Sequence, residues 1–162
     1  MLPRRASAHR IRIRGMSVDD VAPVYHLGEE LFSARRLPIL HRTWDPYEVA
    51  YLFVSESDLS LVAVQGKAVV GFCLSTTTEK PRRPRPYGYL IWLGVSPKVQ
   101  RRGVGQRLVT EMLRRMRDRG VRQVLLDTEE RSGGAVGFFR RIGFEPIHRQ
   151  TWMCIRLGRK GP

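Results

Sequence analysis

The sequence predicts one domain of mixed α/β type, α+β in class, covering 10–157 between a disordered basic tail at 1–9 and a flexible tail at 158–162. Three observations point there. Segments with a two-residue apolar period alternate with segments of helical period along the chain. The 162 residues suit one domain, and 42% hydrophobic with 27% charged residues is the balance of a folded chain. A strongly apolar stretch at 87–95, an amphipathic stretch at 103–119 and a second apolar stretch at 121–127 read as strand, helix, strand. That connection places its two strands parallel and crosses over right-handed.

The elements follow in order. Residues 10–14 alternate Arg and Ile, a half-buried first strand. Ser17 with Asp20 opens a helix running to about residue 33, with Val21, Val24, Leu27 and Leu31 on one face. Asp45-Pro46-Tyr47-Glu48 opens a second helix to about residue 55: Asp45 caps, Pro46 fits the first helical position, and Glu48 bonds back to the cap. Residues 59–65 and 68–78 are strands joined by a tight turn at Gly66-Lys67. The Pro- and Arg-rich run 79–86 cannot be a strand, because proline lacks the ladder donor. After the strand at 87–95, the helix at 103–119 turns Leu108, Met112, Leu113 and Met116 inward and ends at Gly120. A buried strand at 121–127, a short helix at 134–141 ending at Gly143, and a last strand at 147–157 complete the chain.

Charge is the outlier. Lys and Arg number 29 against 15 Asp and Glu, a formal net charge of +14. Only four are lysines (Lys67, Lys80, Lys98 and Lys160). The excess favours an anionic partner: nucleic acid, an anionic membrane surface, an acidic protein or a polyphosphate cofactor. Codon composition accounts for it equally well. No apolar run reaches the ~20 residues of a membrane helix. No apolar stretch backs the basic amino terminus as in a secretory signal. Cys73 and Cys154 match no zinc spacing and read as buried thiols, which places the protein in a reducing cytoplasm. No metal and no membrane contact are expected.

The stretch that carries chemistry is Gln100-Arg101-Arg102-Gly103-Val104-Gly105, between a strand and a helix. Glycines at i and i+2 let the backbone turn tightly and approach a bulky ligand. The helix start offers four unpaired amides and the positive end of its dipole. Together they form an anion site able to cradle a pyrophosphate, with Arg101, Arg102 and Arg107 as charged donors. A phosphate-binding P-loop is excluded, because Gly-Lys-Ser/Thr is missing. The dinucleotide fingerprint fails at Leu108, where glycine or alanine is needed.

These residues resemble the acetyl-coenzyme A loop of the GNAT (GCN5-related N-acetyltransferase) family, Gln/Arg-x-x-Gly-x-Gly/Ala. The helix 135–144, ending Gly143-Phe144, is similar to the family's second signature. The pattern is nearest to protein amino-terminal acetyltransferases, including those acting on ribosomal proteins. The resemblance implies a strongly bent mixed sheet of six to seven strands with about four helices. It implies an N-acetyltransferase with acetyl-coenzyme A as cosubstrate. The strands 87–95 and 121–127 start paired and splay apart. The pantetheine arm lies in that gap on main-chain groups of Leu93, Gly94 and Val95, and the pyrophosphate on the amides of Arg101, Arg102, Gly103, Val104, Gly105, Gln106 and Arg107. Ser132 and Phe139 match two further cofactor positions but depart from the family's asparagine and tyrosine. Phe139 cannot protonate a leaving thiolate, so Tyr89 or solvent substitutes or the thiolate leaves unassisted.

Tyr89 and Asp127 match the positions that carry the base pair in protein amino-terminal acetyltransferases. The bland alternatives are a core tyrosine and a strand-end cap. Glu30, Phe32 and Trp44 match the region that receives the acceptor peptide; the alternative is that Phe32 and Trp44 are core residues. Glu29, Glu30, Asp45 and Glu48 form either an acidic rim for an amine or a solvated face. The acceptor is a primary amine, a protein N-terminal α-amine in the first reading and a small-molecule amine in the second. A third reading is a non-catalytic acetyl-coenzyme A binding module in contact with RNA or the ribosome.

Overall fold

The structure is a computed structural model that describes residues 10–32, 44–78, 86–129 and 133–148, with 151, 153 and 155. The chain falls into two compact units, Met1–Asp127 and Thr128–Pro162. In the first, β1 (Arg12–Gly15), α1 (Val21–Leu31), α2 (Pro46–Ser55), β2 (Ser60–Gln65), β3 (Ala68–Thr78), β4 (Tyr87–Val95), α3 (Val104–Asp118) and β5 (Val124–Leu125) follow in that order. The sheet is ordered β1-β2-β3-β4-β5. Its first three pairings are antiparallel, and β4–β5 is parallel, as the crossover requires.

Local chemistry sets the element ends. Asp45 Oδ1 accepts the Tyr47 amide at 2.7 Å and Pro46 fills the first position of α2. Glu48 does not bond back to the cap. Its Oε2 instead accepts the indole N–H of Trp92 at 2.9 Å, which ties α2 to β4. Ahead of α1, the chain first makes a short 3-10 turn, Val18–Asp20. Asp20 accepts from the Ser17 amide at 2.7 Å and from both terminal nitrogens of Arg14, at 2.5 and 2.9 Å. The Arg14 guanidinium and the Ser17 donors hold the Asp20 carboxyl at about 2. Gly66 turns the β2–β3 hairpin with φ 62°, and Gly120 ends α3 with φ 79°.

The sheet has two covered faces. On one, Val24 and Leu27 of α1 and Val49 and Leu52 of α2 pack against Val62, Phe72, Leu74 and Trp92. On the other lies α3, with Val104, Leu108, Val109, Met112 and Met116 all buried. Each such side chain contributes roughly 1.5–3 kcal/mol, against ~0–1 for an exposed ion pair. The apolar row of α3, and not its arginines, therefore holds it to the sheet. Glycine makes the close fit: a Cβ on Gly88 would lie 2.4 Å from Met116 Sδ, and on Gly71 3.3 Å from Leu108. Cys73 is fully buried beneath this face, and burial pushes its thiol pKa up.

The second unit contains α4 (Gly133–Ile142). Gly143 follows it with φ 107°, and the Phe144 amide returns to Phe139 O at 3.0 Å. Phe139 packs edge-on against Phe138 and Phe144, with ring centroids at 5.0 and 5.6 Å.

Three expectations about the sheet are corrected. The sheet has five strands among the described residues, where six to seven were expected. The segment 147–157 forms no ladder at its described positions (147, 148, 151, 153 and 155), and its other residues lie outside the described ones. The strand expected over 121–127 is only Val124–Leu125, because β4 offers it just two partners. The tails 1–9 and 158–162, the loop 79–85, Ser132 and Cys154 also lie outside the described residues.

Candidate functional site

The site begins with a bulge. In the β3–β4 ladder Ser75 faces Leu90 but Leu74 faces Trp92, so Ile91 is an extra residue in β4. Before it, Gly88 faces α3, where a Cβ would meet Met116; after it, Gly94 faces α1, where a Cβ would meet Phe72 at 2.5 Å and Leu31 at 2.9 Å. The bulge has moved even-numbered side chains from one face of the sheet to the other.

It also re-aims the main chain. The Ser96 amide donates to Val70 O at 2.9 Å, so Ser96 and Val70 are a bonded pair. Bonded and non-bonded pairs alternate in an antiparallel ladder, which leaves the N–H and C=O of Leu93 and Val95 pointing away from β3. The Gly94 groups point back into the ladder. On the outer side, β5 pairs with β4 only at Gly88 and Tyr89 among the described residues. Beyond Tyr89 the outer edge of β4 has no strand beside it among those residues. The side chain of Gln100 reaches this edge and donates to Val95 O at 3.1 Å.

The loop after β4 forms the second part. Arg101 has φ 61° and Gly103 φ 72°, two left-handed positions separated by one residue. Such a conformation turns successive amides toward one side and makes a concave anion site. The first bond of α3 runs from the Arg107 amide to Gly103 O at 3.0 Å, so the amides of Val104, Gly105 and Gln106 have no partner within the helix. No heavy atom lies within 4 Å of a Cβ built on Gly103, so the space over that turn is open. The side chains of Arg101, Arg102 and Gln106 are exposed. Arg107 differs: its guanidinium donates to Ile11 O at 3.0 Å, so it braces β1 against α3.

Tyr89 and Asp127 meet. The Tyr89 hydroxyl donates to Asp127 Oδ1 across 38 residues of sequence. The ladder explains the contact: Tyr89 is registered with Leu125, and Asp127 stands two residues on, on the same face. Since Gly88 faces α3, Tyr89 faces the α1–α2 side. Its cross-strand neighbour Thr76 donates to Glu56 Oε1 at 2.8 Å, which also accepts the Thr77 amide at 3.0 Å. Arg119 holds the other Glu56 oxygen at 2.7 Å. Burial alone would raise the Glu56 pKa, but the Thr77, Arg119 and Thr76 donors outweigh it and the net direction is down.

The other sequence-proposed residues are placed as follows. Trp44 is buried, with its indole N–H on Tyr25 O at 2.8 Å. Phe32 is half-buried between Trp44, Phe72 and Trp92, with ring centroids at 5.4, 6.1 and 4.8 Å. Glu30 is exposed near the end of α1. Phe139 belongs to the second unit, and Ser132 lies outside the described residues. Sequence reasoning missed the Ile91 bulge, the Gln100–Val95 bond and the Glu56–Thr76 bond. Only Gln100 carried a signal, as the first residue of the loop motif. No group of three or more His, Cys, Asp or Glu gathers among the described residues. None of the described helices is long and apolar enough to cross a membrane.

The chain is similar to known proteins. A mycothiol acetyltransferase of Saccharomonospora viridis is 37% identical over 84 residues, 49% of this chain and 27% of that protein. The chain thus spans about a quarter of that relative's length. N-alpha-acetyltransferase 30 of Schizosaccharomyces pombe is 24% identical over 105 residues, 65% of this chain and 69% of that one. Among solved structures, aminoglycoside N-acetyltransferase AAC(6')-Iy in complex with coenzyme A aligns with a TM-score of 0.72 at 20% identity, covering 97% of this chain and all of that one, a likeness of fold. The profile of the Acetyltransferase (GNAT) family matches residues 24–144, from within α1 to the Gly-Phe end of α4, and the chain belongs to that family.

Proposed function

We propose that the protein transfers an acetyl group from acetyl-coenzyme A to a primary amine by direct attack in a ternary complex, with a protein N-terminal α-amine as acceptor. One observation carries the reading: the main chain of Leu93 and Val95 points away from β3, and the same chain goes on directly into the open left-handed turn at Gly103 and the unpaired amides of α3. The donor set fits the coenzyme. Val104, Gly105 and Gln106 amides suit a pyrophosphate, Arg101 and Arg102 add charge-assisted donors, and the β4 edge suits an amide-bearing arm added like a strand. When bound, the coenzyme supplies the acetyl group as a thioester. Gly94, Gln106 and Arg107 complete the proposed cofactor contacts; for Arg107 the contact is its amide.

The chain's own residues handle the proton. As the amine nitrogen forms its bond to the acetyl carbon and the bond from that carbon to sulfur breaks, one N–H proton passes to the Tyr89 oxygen and the Tyr89 proton to Asp127 Oδ1, along the observed hydrogen bond, and the released thiolate takes its proton from solvent. An α-amine with a pKa of about 8 is neutral in roughly a tenth of molecules at pH 7, whereas a lysine is neutral in a few parts in 10⁴. A half-buried tyrosine bonded to an exposed aspartate is assigned to an α-amine, the acceptor that needs less help from a base. Glu30, Phe32 and Trp44, on the face toward which Tyr89 points, are assigned to acceptor recognition, Phe32 and Trp44 by shaping its floor.

A second reading, a small-molecule amine, is favoured by the mycothiol acetyltransferase relative. Thiol release from acetyl-coenzyme A across a panel of N-terminal peptides, aminoglycosides and amino-sugar thiols separates the two. Turnover with peptides is expected. Turnover confined to small amines overturns the acceptor assignment, and none with any amine overturns the transfer itself.

A further inference from the structure

Charge is segregated in this molecule. Segments 15–34 and 44–66, which hold α1 and α2, contain none of the 29 Lys and Arg and eight of the 15 Asp and Glu. The two helices that cover one face of the sheet therefore carry carboxylates and no Lys or Arg, while the stretch 35–43 that links them holds Arg35, Arg36 and Arg42.

The outer side of α2 is also apolar. Val49 and Leu52 face the core, and opposite them Tyr47, Tyr51 and Val54 are 83%, 69% and 79% exposed. Their i, i+4, i+7 spacing makes one continuous stripe on the helix. Asp45 and Glu48 flank its N-terminal half, and neither pairs with a Lys or Arg among the described residues. The carboxylates beyond the other end, Glu56 and Asp58, are held by Arg119 at 2.7 and 3.2 Å. The charge left unmatched thus lies beside the two tyrosines.

We propose that this face of α2 docks an arginine-rich segment of a partner polypeptide. A guanidinium stacks flat on a tyrosine ring while its N–H fork meets a neighbouring carboxylate, and α2 offers both within one helical turn. A neutral or acidic segment would bury the Asp45 and Glu48 carboxylates with one N–H donor each and no opposite charge. A second copy joined α2 to α2 across a two-fold axis would set the same carboxylates against each other. A cationic occupant alone satisfies both the rings and the charges.

The test reads binding and not turnover, so it stands apart from the transfer reaction. A labelled peptide alternating Arg and Gly is titrated with the full-length chain at low and high salt. Comparison is with Tyr47→Ser/Tyr51→Ser, with Glu48→Gln, and with a peptide carrying Glu for Arg. Glu48→Gln keeps an acceptor for Trp92 and removes the charge. Expected are salt-sensitive binding of the Arg peptide, none of the Glu peptide, about a tenfold weakening in the double variant and a several-fold weakening in Glu48→Gln, each with unchanged melting. No binding, equal binding by the variants or equal binding of the Glu peptide overturns the proposal. So does a wild-type dimer that the tyrosine variants dissociate, which would seat a second copy on this face.

Discussion

Gly103 stands at φ 72° with nothing within 4 Å of the place a Cβ would occupy, so any side chain there meets two costs of different origin. The left-handed backbone costs an L-residue about 1–2 kcal/mol. The added atoms also fill the space over the free amides of α3. Gly103→Val is expected to lose about 1–2 kcal/mol of stability and at least about tenfold in acetyl-coenzyme A affinity, read by denaturant melts and calorimetric titration. Unchanged affinity would remove the turn from the cofactor site. In the proposed reaction Tyr89 and Asp127 act on the rate and not on cofactor binding. Tyr89→Phe and Asp127→Asn are each expected to lower kcat about 10²-fold or more with KM for acetyl-coenzyme A little altered. A variant that changes KM alone would make the pair structural.

Elements meet at positions where glycine lets them. A Cβ on Gly28 of α1 would lie 2.0 Å from Trp44 Cε2 and 2.5 Å from its Nε1. The indole would have to leave its bond to Tyr25 O and its contacts with Phe32, Phe72 and Trp92. Gly28→Ala is therefore expected to destabilise by about 3 kcal/mol or more, read from the urea midpoint, and to be relieved in part by Trp44→Leu. Elements set by neighbouring residues were legible in the chain. Asp45-Pro46 starts α2, Gly66 turns the hairpin, Gly120 ends α3, and the bounds of β3 and β4 follow their apolar runs. The Gly-x-Gly turn was legible too, and Tyr89 and Asp127 were singled out through the family resemblance; their contact follows from the β4–β5 register, which the sequence does not show. What escaped depends on partners far away in sequence. The extra residue at Ile91 exists only relative to β3, Glu48 bonds Trp92 and not its own cap, and the length of β5 is set by its pairing with Gly88 and Tyr89 alone.

Across the whole molecule, acid stability rests on a few carboxylates. Arg14 and Ser17 hold Asp20 at about 2, against an ordinary 3.8; Arg114 and then Arg115 hold Glu111 at about 2, against 4.5. Because the folded values are the lower ones, this stability is complete above about pH 4.5 and lost as pH falls toward 2. For Asp20, buried but paired with a half-exposed arginine, it amounts to about 1–2 kcal/mol after screening. Melting followed from pH 6 to 2 is expected to fall more steeply in the wild type than in Asp20→Asn; parallel curves would assign the acid loss elsewhere. The proposed anion site at the start of α3 and the carboxylates of α1 and α2 lie on opposite faces of the sheet. The most direct measurement is an amide-resolved NMR titration of the full chain with acetyl-coenzyme A. Saturable shifts at residues 101–107 together with 93 and 95 are predicted, and shifts absent from both stretches would contradict the account.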